Sequence, residues 1–422
     1  MLKKMANYQY HYGLKVRIYP NFRQKAVIQK SSDASRFVYN KMVEYGKRLF
    51  AFGKPKIYIQ NVTETIASLK ETKESTTKLK DRFFWLCDPR VDTMAIENAK
   101  QSYNKAWKLY RQVYHIAPPN FHKKGYEEKY QTSEHYDKKK VSTPTMSNGR
   151  CRFSQKHVVL PVLGRIRFAG SAKMVRKLLA MPEVRIGTIT ITKDGVGDYY
   201  ASFQLGSDIP FVAAAPTTKS EVGIDLNIEN FYADSNGKIV DNPKYYRRAK
   251  KRLAHAQRKL GKRTARAKKE KRPLKSAKNY QKQRLLVAKI TRGVMNRRKN
   301  FLHIQSTALI NNHDLVVAEE LRSKNMMKNH ALASAIQDNG WRTFLNLLTY
   351  KADLYGKTFV TVDPKYTTQT CHNCGYIMKG EEKLTLEIRE WTCPVCGKHH
   401  IRDVNAAQNI LAKGKKKLAG RA

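Results

Sequence analysis

Acidic residues are scarce in this chain: 34 Asp and Glu stand against 82 Lys and Arg in 422 residues, a formal charge of +48. That shortage excludes the charge balance of an ordinary soluble enzyme, because self-repulsion on this scale opposes folding unless a polyanion neutralises it. Nucleic acid is the commonest cellular polyanion. An anionic membrane surface would also attract such charge, but the cations are spread over the whole chain and do not line one amphipathic helix. No apolar run approaches the length of a bilayer span, and Met1-Leu2-Lys3-Lys4-Met5 is followed by no apolar leader segment. A cytoplasmic protein without a membrane partner is expected. Cysteine is sparse and unevenly used: Cys87 and Cys151 stand alone, whereas Cys371, Cys374, Cys393 and Cys396 form two C-x-x-C pairs. In a reducing compartment the pairs point to metal and the single residues to packing. Hydrophobic residues are not lacking. At 41% of so long a chain they can fill more than one core, and two to four structural units are expected.

Residues 8–19 alternate and are rich in Tyr, Val and Ile, which predicts a strand stopped by Pro20. One or two helices should follow from Asn21 to about Leu49, and further helices around 57–84 and 92–114, ended by Pro118-Pro119. Residues 120–148 are polar, basic and aromatic and read as a loop. Strands return at 151–168 and 184–205, the latter folded at Asp194-Gly195. A linker over 210–219 precedes a buried-type strand, EVGIDL, and a hairpin over 229–241. From Lys244 to Asn300 the chain carries a single acid, Glu270, among many cations, yet Leu253, Leu260, Leu285, Leu286 and Ile290 are interleaved with them. This pattern predicts a helical hairpin docked on a core and turned toward a phosphate backbone. Then come a helix to about Asn311, a strand at Leu315–Ala318, a helix from about Ile336 to Tyr355, a strand at Thr358–Val362, the cysteine pairs, a helix from about Val404 to Lys413, and a basic, disordered tail over 414–422.

Three acids carry chemical promise. Asp225 ends the apolar strand Val222-Gly223-Ile224-Asp225, where a carboxylate is costly to desolvate unless a cation or metal accompanies it. Glu319 and Glu320 end a second apolar strand, Leu315-Val316-Val317-Ala318. Strand alternation sends these two side chains to opposite faces, so only one of them can join Asp225. Asp403 opens a run of good helix formers and would serve as an N-cap, a role that does not exclude metal binding. Three carboxylates in the order Asp, Glu, Asp suit two Mg²⁺ ions about 3.5–4 Å apart that clamp an in-line phosphodiester displacement. Hard oxygen ligands suit Mg²⁺.

The cysteine pairs form two knuckles, Cys371-His372-Asn373-Cys374-Gly375 and Cys393-Pro394-Val395-Cys396-Gly397, separated by residues 375–392. Their spacing is that of a four-thiolate structural zinc site. A redox role is the alternative for either pair taken alone. Closed coordination by Cys371, Cys374, Cys393 and Cys396 would leave no open position for catalysis.

GIDLN at 223–227, VVAEEL at 316–321, the cysteine pairs and RDVNAAQNIL at 402–411, in that order, resemble the RuvC-type domain of TnpB proteins of insertion sequences (OrfB-type, transposase-associated) and of their relatives, the compact type V CRISPR effectors. The resemblance extends to LKVRIYP and RFVYNK near the N-terminus and to residues 340–370. It implies a multidomain α/β protein: an RNase H-like RuvC nuclease domain (218–364 and 400–413) with an inserted zinc ribbon (365–399), preceded by a β-barrel-like wedge domain (1–20 and 150–212). A helical recognition domain (21–125) and a basic loop (126–149) would interrupt the wedge, and a basic tail (414–422) would close the chain. It further implies an RNA-guided, Mg²⁺-dependent DNA endonuclease of prokaryotes with Asp225, Glu319 and Asp403 as catalytic acids. Its partners would be a guide RNA and target double-stranded DNA, on which base pairing reads the target and the protein reads a short flanking motif. Where the family has Glu-Asp, this chain has Glu319-Glu320. By position, 323–333 would be the lid over the site. A monomer on a large RNA is expected. The rival readings are an effector that uses array-derived guides, a nuclease-inactive guide-dependent repressor, a strand-transfer transposase, and a plain zinc-ribbon DNA-binding protein.

Overall fold

The computed structural model describes residues 4–51, 83–114, 116–133, 151–170, 172–320, 340–385 and 387–420, and divides the chain into two units, Met1–Phe211 and Val212–Ala422. Among the described residues no helix is long and apolar enough to cross a membrane.

The first unit carries β1 (Tyr10–Tyr19), α1 (Phe22–Ala51), α2 (Thr93–Gln112), β2 (Glu128–Ser133), β3 (Arg152–Phe153), β4 (His157–Leu160), β5 (Gly164–Ala169), α3 (Ala172–Ala180), β6 (Arg185–Lys193) and β7 (Tyr199–Ser207). The strands form one antiparallel sheet in the order β2-β6-β7-β1-β5-β4-β3. Alternation along β1 buries Leu14, Val16 and Ile18 and exposes the residues between them. The sheet curls, because Phe153 of the edge strand β3 packs edge-on against Phe203 of β7 near the middle, with ring centroids 4.7 Å apart. Asp194 closes the β6–β7 hairpin by accepting the backbone N–H groups of Val196, Gly197 and Asp198. A reciprocal cap opens α1: Asn21 Oδ1 accepts from Gln24 N–H and Gln24 Oε1 from Asn21 N–H. Asp92 caps α2 through the N–H of Met94. These helices share a small core of Val38, Tyr39, Val43, Ile96, Ala99 and Tyr103.

Two expectations change in this unit. Residues 128–133, expected as loop, form β2, because Tyr130 and Thr132 are buried while the strand pairs with β6 in full register. The short helix α3, which buries Val175 and Leu178, was not anticipated between the strands that flank it. Residues 57–82 of the helices expected around 57–84, and residues 134–148 of the expected loop, lie outside the described residues.

The second unit contains β8 (Glu221–Asp225), β9 (Asn230–Asp234), β10 (Ile239–Asp241), α4 (Tyr245–Lys269), α5 (Lys278–Asn312), β11 (Leu315–Glu319), α6 (Trp341–Tyr355), β12 (Thr358–Val362), β13 (Glu390–Thr392), β14 (His399–Ile401) and α7 (Arg402–Ala419). Five strands make a mixed sheet in the order β10-β9-β8-β11-β12, in which β8, β11 and β12 run parallel and β9 and β10 antiparallel to their neighbours. Helices cover both faces. Val222, Ile224, Val316 and Ala318 pack with Leu302, Leu309 and Ile310 of α5 and Phe344 and Leu348 of α6. On the other face Leu315, Val317, Val360 and Val362 meet Ile410, Leu411 and Leu418 of α7. The predicted basic hairpin is α4 paired with α5 through Leu253, Ala256 and Ile290, its cations turned outward. The molecule is thus a multidomain protein of mixed α/β class.

The expected tail is corrected here. Helix α7 runs through Gly414 to Ala419, since Gly414 lies against Val317 of β11 and Leu418 joins the core beneath it. A glycine that reads as a helix stop is a point of close approach. The expected lid at 323–333 lies outside the described residues.

Candidate functional site

The three sequence-selected acids collect at one edge of the five-stranded sheet. Asp225 is the last residue of β8 and Glu319 the last of β11. These strands are parallel neighbours, with Val317 opposite Gly223 and Ala318 opposite Ile224, so the next pair in step is Glu319 and Asp225. Alternation decides between the two glutamates. Val316 and Ala318 face α5 and α6, whereas Leu315 and Val317 face α7, so Glu319 belongs to the α7 face together with Gly223 and Asp225. Glu320 is exposed, and its N–H donates to the carbonyl of Val362.

Asp403 arrives from above, in the first turn of α7. Ile401 is the N-cap and makes no side-chain cap, so Asp403 is a first-turn residue and not the cap that its sequence position suggested. The positive end of the helix still favours its charge. What brings α7 so close is an absence of side chain. A Cβ on Gly223 would lie 2.1 Å from the carbonyl oxygen of Ala407 and 2.8 Å from the nitrogen of Leu411. One on Gly414 would meet the methyls of Val317 at 2.5 and 2.6 Å.

The electrostatics are those of crowded anions. Burial, then the charges of Glu319 and Asp403, push the Asp225 carboxyl well above its ordinary range, with Arg402 opposing them. Burial also raises Glu319, against the hydroxyl of Thr367, which donates to it, and the nearby Lys413. Asn227 Nδ2 donates to Asp403 Oδ2 at 3.1 Å, and Arg402 Nε lies 3.1 Å from Asp403 Oδ1. Arg402 is itself buried, with Nη1 donating to the carbonyls of Thr385 and Ile388. A further cation, Arg389, stands 4.0 Å from Asp403 and pairs with Glu229. Desolvation and the two neighbouring carboxylates thus make Asp225 the acid of the three whose charge a nearby cation would relieve most.

The four paired cysteines converge with their sulfurs all within 4.8 Å, the one such group of potential metal ligands among the described residues. Cys371 and Cys396 are 3.7 Å apart, as are Cys374 and Cys393. A tetrahedron with Zn–S bonds of ~2.3 Å has edges of roughly 3.8 Å, so the four thiols could hold a structural zinc. Gly375 at φ +79° and Gly397 at φ +69° return their N–H groups to the carbonyls of Cys371 and Cys393, which is how each knuckle turns. His400 Nε2 lies 3.1 Å from Cys371 Sγ.

Sequence reasoning missed the amides that join ribbon to helix. Asn405 accepts from His372 N–H and donates to the carbonyl of Thr370, while Asn409 donates to the carbonyls of Thr367 and Thr370. Their spacing of four residues, which puts both on one face of α7, was the available signal. Asn227 and Thr367 carried none beyond lying inside or near the motifs.

A mixed sheet with acids at the carboxyl ends of two parallel strands, and a four-cysteine module that could hold zinc inserted before the helix that brings the third acid, defines a multidomain protein of mixed α/β class. Comparison with known proteins is more specific. Family models match at residues 204–330 (OrfB of IS605, described as "Probable transposase"), 341–410 ("Cas12f1-like, TNB domain") and 11–54 ("Helix-turn-helix domain"). In that last region the chain forms β1 followed by the single long helix α1. A protein of Streptomyces pristinaespiralis is 30% identical over 95% of this chain and 89% of its own length. One of Escherichia coli K12, InsQ, is 25% identical over 96% and 93%. Both bear the name "Putative RNA-guided DNA endonuclease". Among solved structures, the Cas12f1 chain of a complex with sgRNA and target DNA aligns with a TM-score of 0.53 at 14% identity, covering 95% of this chain and 98% of its own. That likeness is one of fold. The chain belongs to the TnpB family, the OrfB proteins of IS605-type elements.

Proposed function

We propose that this protein is an RNA-guided DNA endonuclease that hydrolyses phosphodiester bonds with divalent metal held by Asp225, Glu319 and Asp403. The observation that carries the reading is the convergence of these three acids, widely separated in sequence, at the carboxyl ends of two neighbouring strands and the start of α7, where Asp225 feels the charge of both others. Parallel strands that deliver side chains at their carboxyl ends are where α/β folds place ligands, in keeping with an RNase H-like core over 218–364 and 400–413. The names of the relatives supply the substrate and the guide, and the charge of +48 supplies the affinity for both nucleic acids.

When bound at these acids, Mg²⁺ would supply the positive charge that activates water and stabilises the leaving oxygen. The protein's own part is positional. Asp225 feels the charge of both Glu319 and Asp403, Thr367 donates to Glu319, and Asn227 and Arg402 hold the two different oxygens of Asp403. The outward cations of α4 and α5 would follow a phosphate backbone. The four-thiol ribbon has no open position and takes no chemical step. The curled sheet of the first unit fits the wedge role (1–20 and 150–212), and its helices the recognition role (21–125). A reading with array-derived guides is favoured by the match of 341–410 to the Cas12f1-like domain, and it uses the same site.

The test is to purify the protein, sequence the RNA bound to it, and challenge the complex with DNA carrying the matched target beside a randomised flank, with and without Mg²⁺. Cutting should require the guide, a defined flank and Mg²⁺, and should vanish in Asp225→Ala. Cutting that persists in Asp225→Ala, or that ignores the bound RNA, would overturn the reading.

A further inference from the structure

We propose that Thr367, gripped by Asn409, is a positioning residue through which the cysteine ribbon sets the geometry of the acid cluster, so that a docked first knuckle is a condition for assembling the site. The inference rests on the reading of Asp225, Glu319 and Asp403 as the metal-binding acids. It goes beyond that reading by making the ribbon part of the device that places them.

The contacts form a continuous path. The chain leaves β12 at Val362 and reaches the first knuckle at Cys371, and between the two it touches both the acid cluster and α7. Thr367 is 2% exposed. Its hydroxyl has one proton to give, facing the carboxylate of Glu319 and, at 3.0 Å, the carbonyl of Pro364. The charged acceptor is the stronger of the two. The carbonyl of this same residue accepts from Asn409 Nδ2 at 2.9 Å, and Asn409 also donates to Thr370 at 2.7 Å. One turn earlier on α7, Asn405 holds the knuckle by its own backbone, taking the N–H of His372 at 2.9 Å and giving to Thr370 at 2.8 Å. Lys413 adds a bond to the carbonyl of Asp363. The helix that makes these bonds carries Asp403 in its first turn. Thus Glu319 is tied to the segment 363–372 by a hydroxyl, and Asp403 is tied to it by two amides on its own helix. The second tie reaches Thr370 and His372 on either side of Cys371, and it shares Thr367 with the first. Asn405 and Asn409 are buried, where an amide left without partners is expensive, so the segment is held in one place.

The test compares Thr367→Val, which keeps shape and removes the hydroxyl, with Thr367→Ser, which keeps the hydroxyl and removes a methyl. In the RNA-bound protein we expect Thr367→Val to lower Mn²⁺ affinity at the acids and the cleavage rate about 10- to 100-fold, the range seen when a ligand's hydrogen-bond partner is lost. Zinc content and target binding should stay at wild-type levels, and Thr367→Ser should recover most of the rate. Asn409→Ala should act in the same direction as Thr367→Val with zinc retained. Equal behaviour of Val and wild type, or a Ser variant as poor as Val, would overturn the proposal. Asp225→Ala run alongside separates the two levels. Cleavage that survives there overturns the assignment of the acids, whereas cleavage lost there but untouched in Thr367→Val overturns the tether alone.

Discussion

Replacing Gly223 by Ala adds one methyl at the tightest point between sheet and helix, and its effect can be worked out from the spacing. The new Cβ would stand 2.1 Å from the Ala407 carbonyl oxygen, 2.8 Å from the Leu411 nitrogen and 2.9 Å from the Leu411 Cβ, where ordinary contact begins at 3.4 Å. Two of these three atoms are helix backbone, so no rotamer change can relieve the clash. Helix α7 must retreat from β8 by about 1.3 Å, the difference between 3.4 and 2.1 Å. Overpacking of this kind costs about 1–3 kcal/mol, which for a unit of this size lowers the melting temperature by about 2–4 °C per kcal/mol. The functional loss should be larger than the stability loss. Asp403 rides on the displaced helix while Asp225 stays on the strand, and a misplacement of ~1 Å at a reacting centre can cost roughly 100-fold in rate. The assay is single-turnover cleavage of a guide-matched DNA at saturating Mg²⁺, beside a thermal melt and a DNA-binding titration of the same preparation. Binding should be preserved and the rate should fall about 100-fold. A variant that cuts at the wild-type rate with an unchanged melt would refute both the packing argument and the idea that α7 sets the site.

Gly414→Ala meets the side-chain methyls of Val317, so it should lose about 1–3 kcal/mol and recover most of it in the double variant with Val317→Ala; no recovery would show that the clash is not local. Asp225→Asn should abolish cutting yet raise the melting temperature at pH 7–8 without divalent ion. The folded carboxyl holds its proton above the pH at which the unfolded one, near 4, releases it, so wild-type stability falls as pH rises through that window, and Asn escapes the fall. An Asn variant that melts below wild type there would contradict the crowded-anion picture. Cys371→Ser removes one of the four thiols that could hold zinc, so zinc binding by the ribbon should be lost and cleavage should fall with it; full activity in a zinc-free variant would break that coupling.

The parts of this site that were legible in the sequence are those in which chemistry dictates a residue type against its surroundings. Asp225 and Glu319 stand out because a carboxylate ending an apolar strand is costly, and the cysteines because their spacing suits one metal. Glu319 was preferred to Glu320 by resemblance alone; the physical reason needed the sheet, because only the register with β8 tells which face of β11 looks toward α7. Strand β2 was hidden for a related reason: its two inward residues, Tyr130 and Thr132, are set among polar neighbours, and its partner lies far along the chain. Packing requirements read as gaps or as bland polar residues. Gly414 passes for a helix terminator and Gly223 for a loose place in a strand, though each is the spot where two elements touch most closely.

Helix α7 joins these two kinds of requirement. It lays Ala407, Leu411 and Gly414 on the sheet, turns Asn405 and Asn409 to the ribbon, and presents Asp403 to the other acids. Each residue of an α-helix advances roughly 100° around its axis, so these three sets stay in phase only at their present spacing. One residue inserted between Asp403 and Gly414 would leave every side chain in place chemically and swing one set about 100° away from its partner. The single run Arg402–Gly414 is therefore constrained by sheet, ribbon and acid cluster together. Any change of length there should abolish cutting, even where the sheet and the cysteine ribbon still fold.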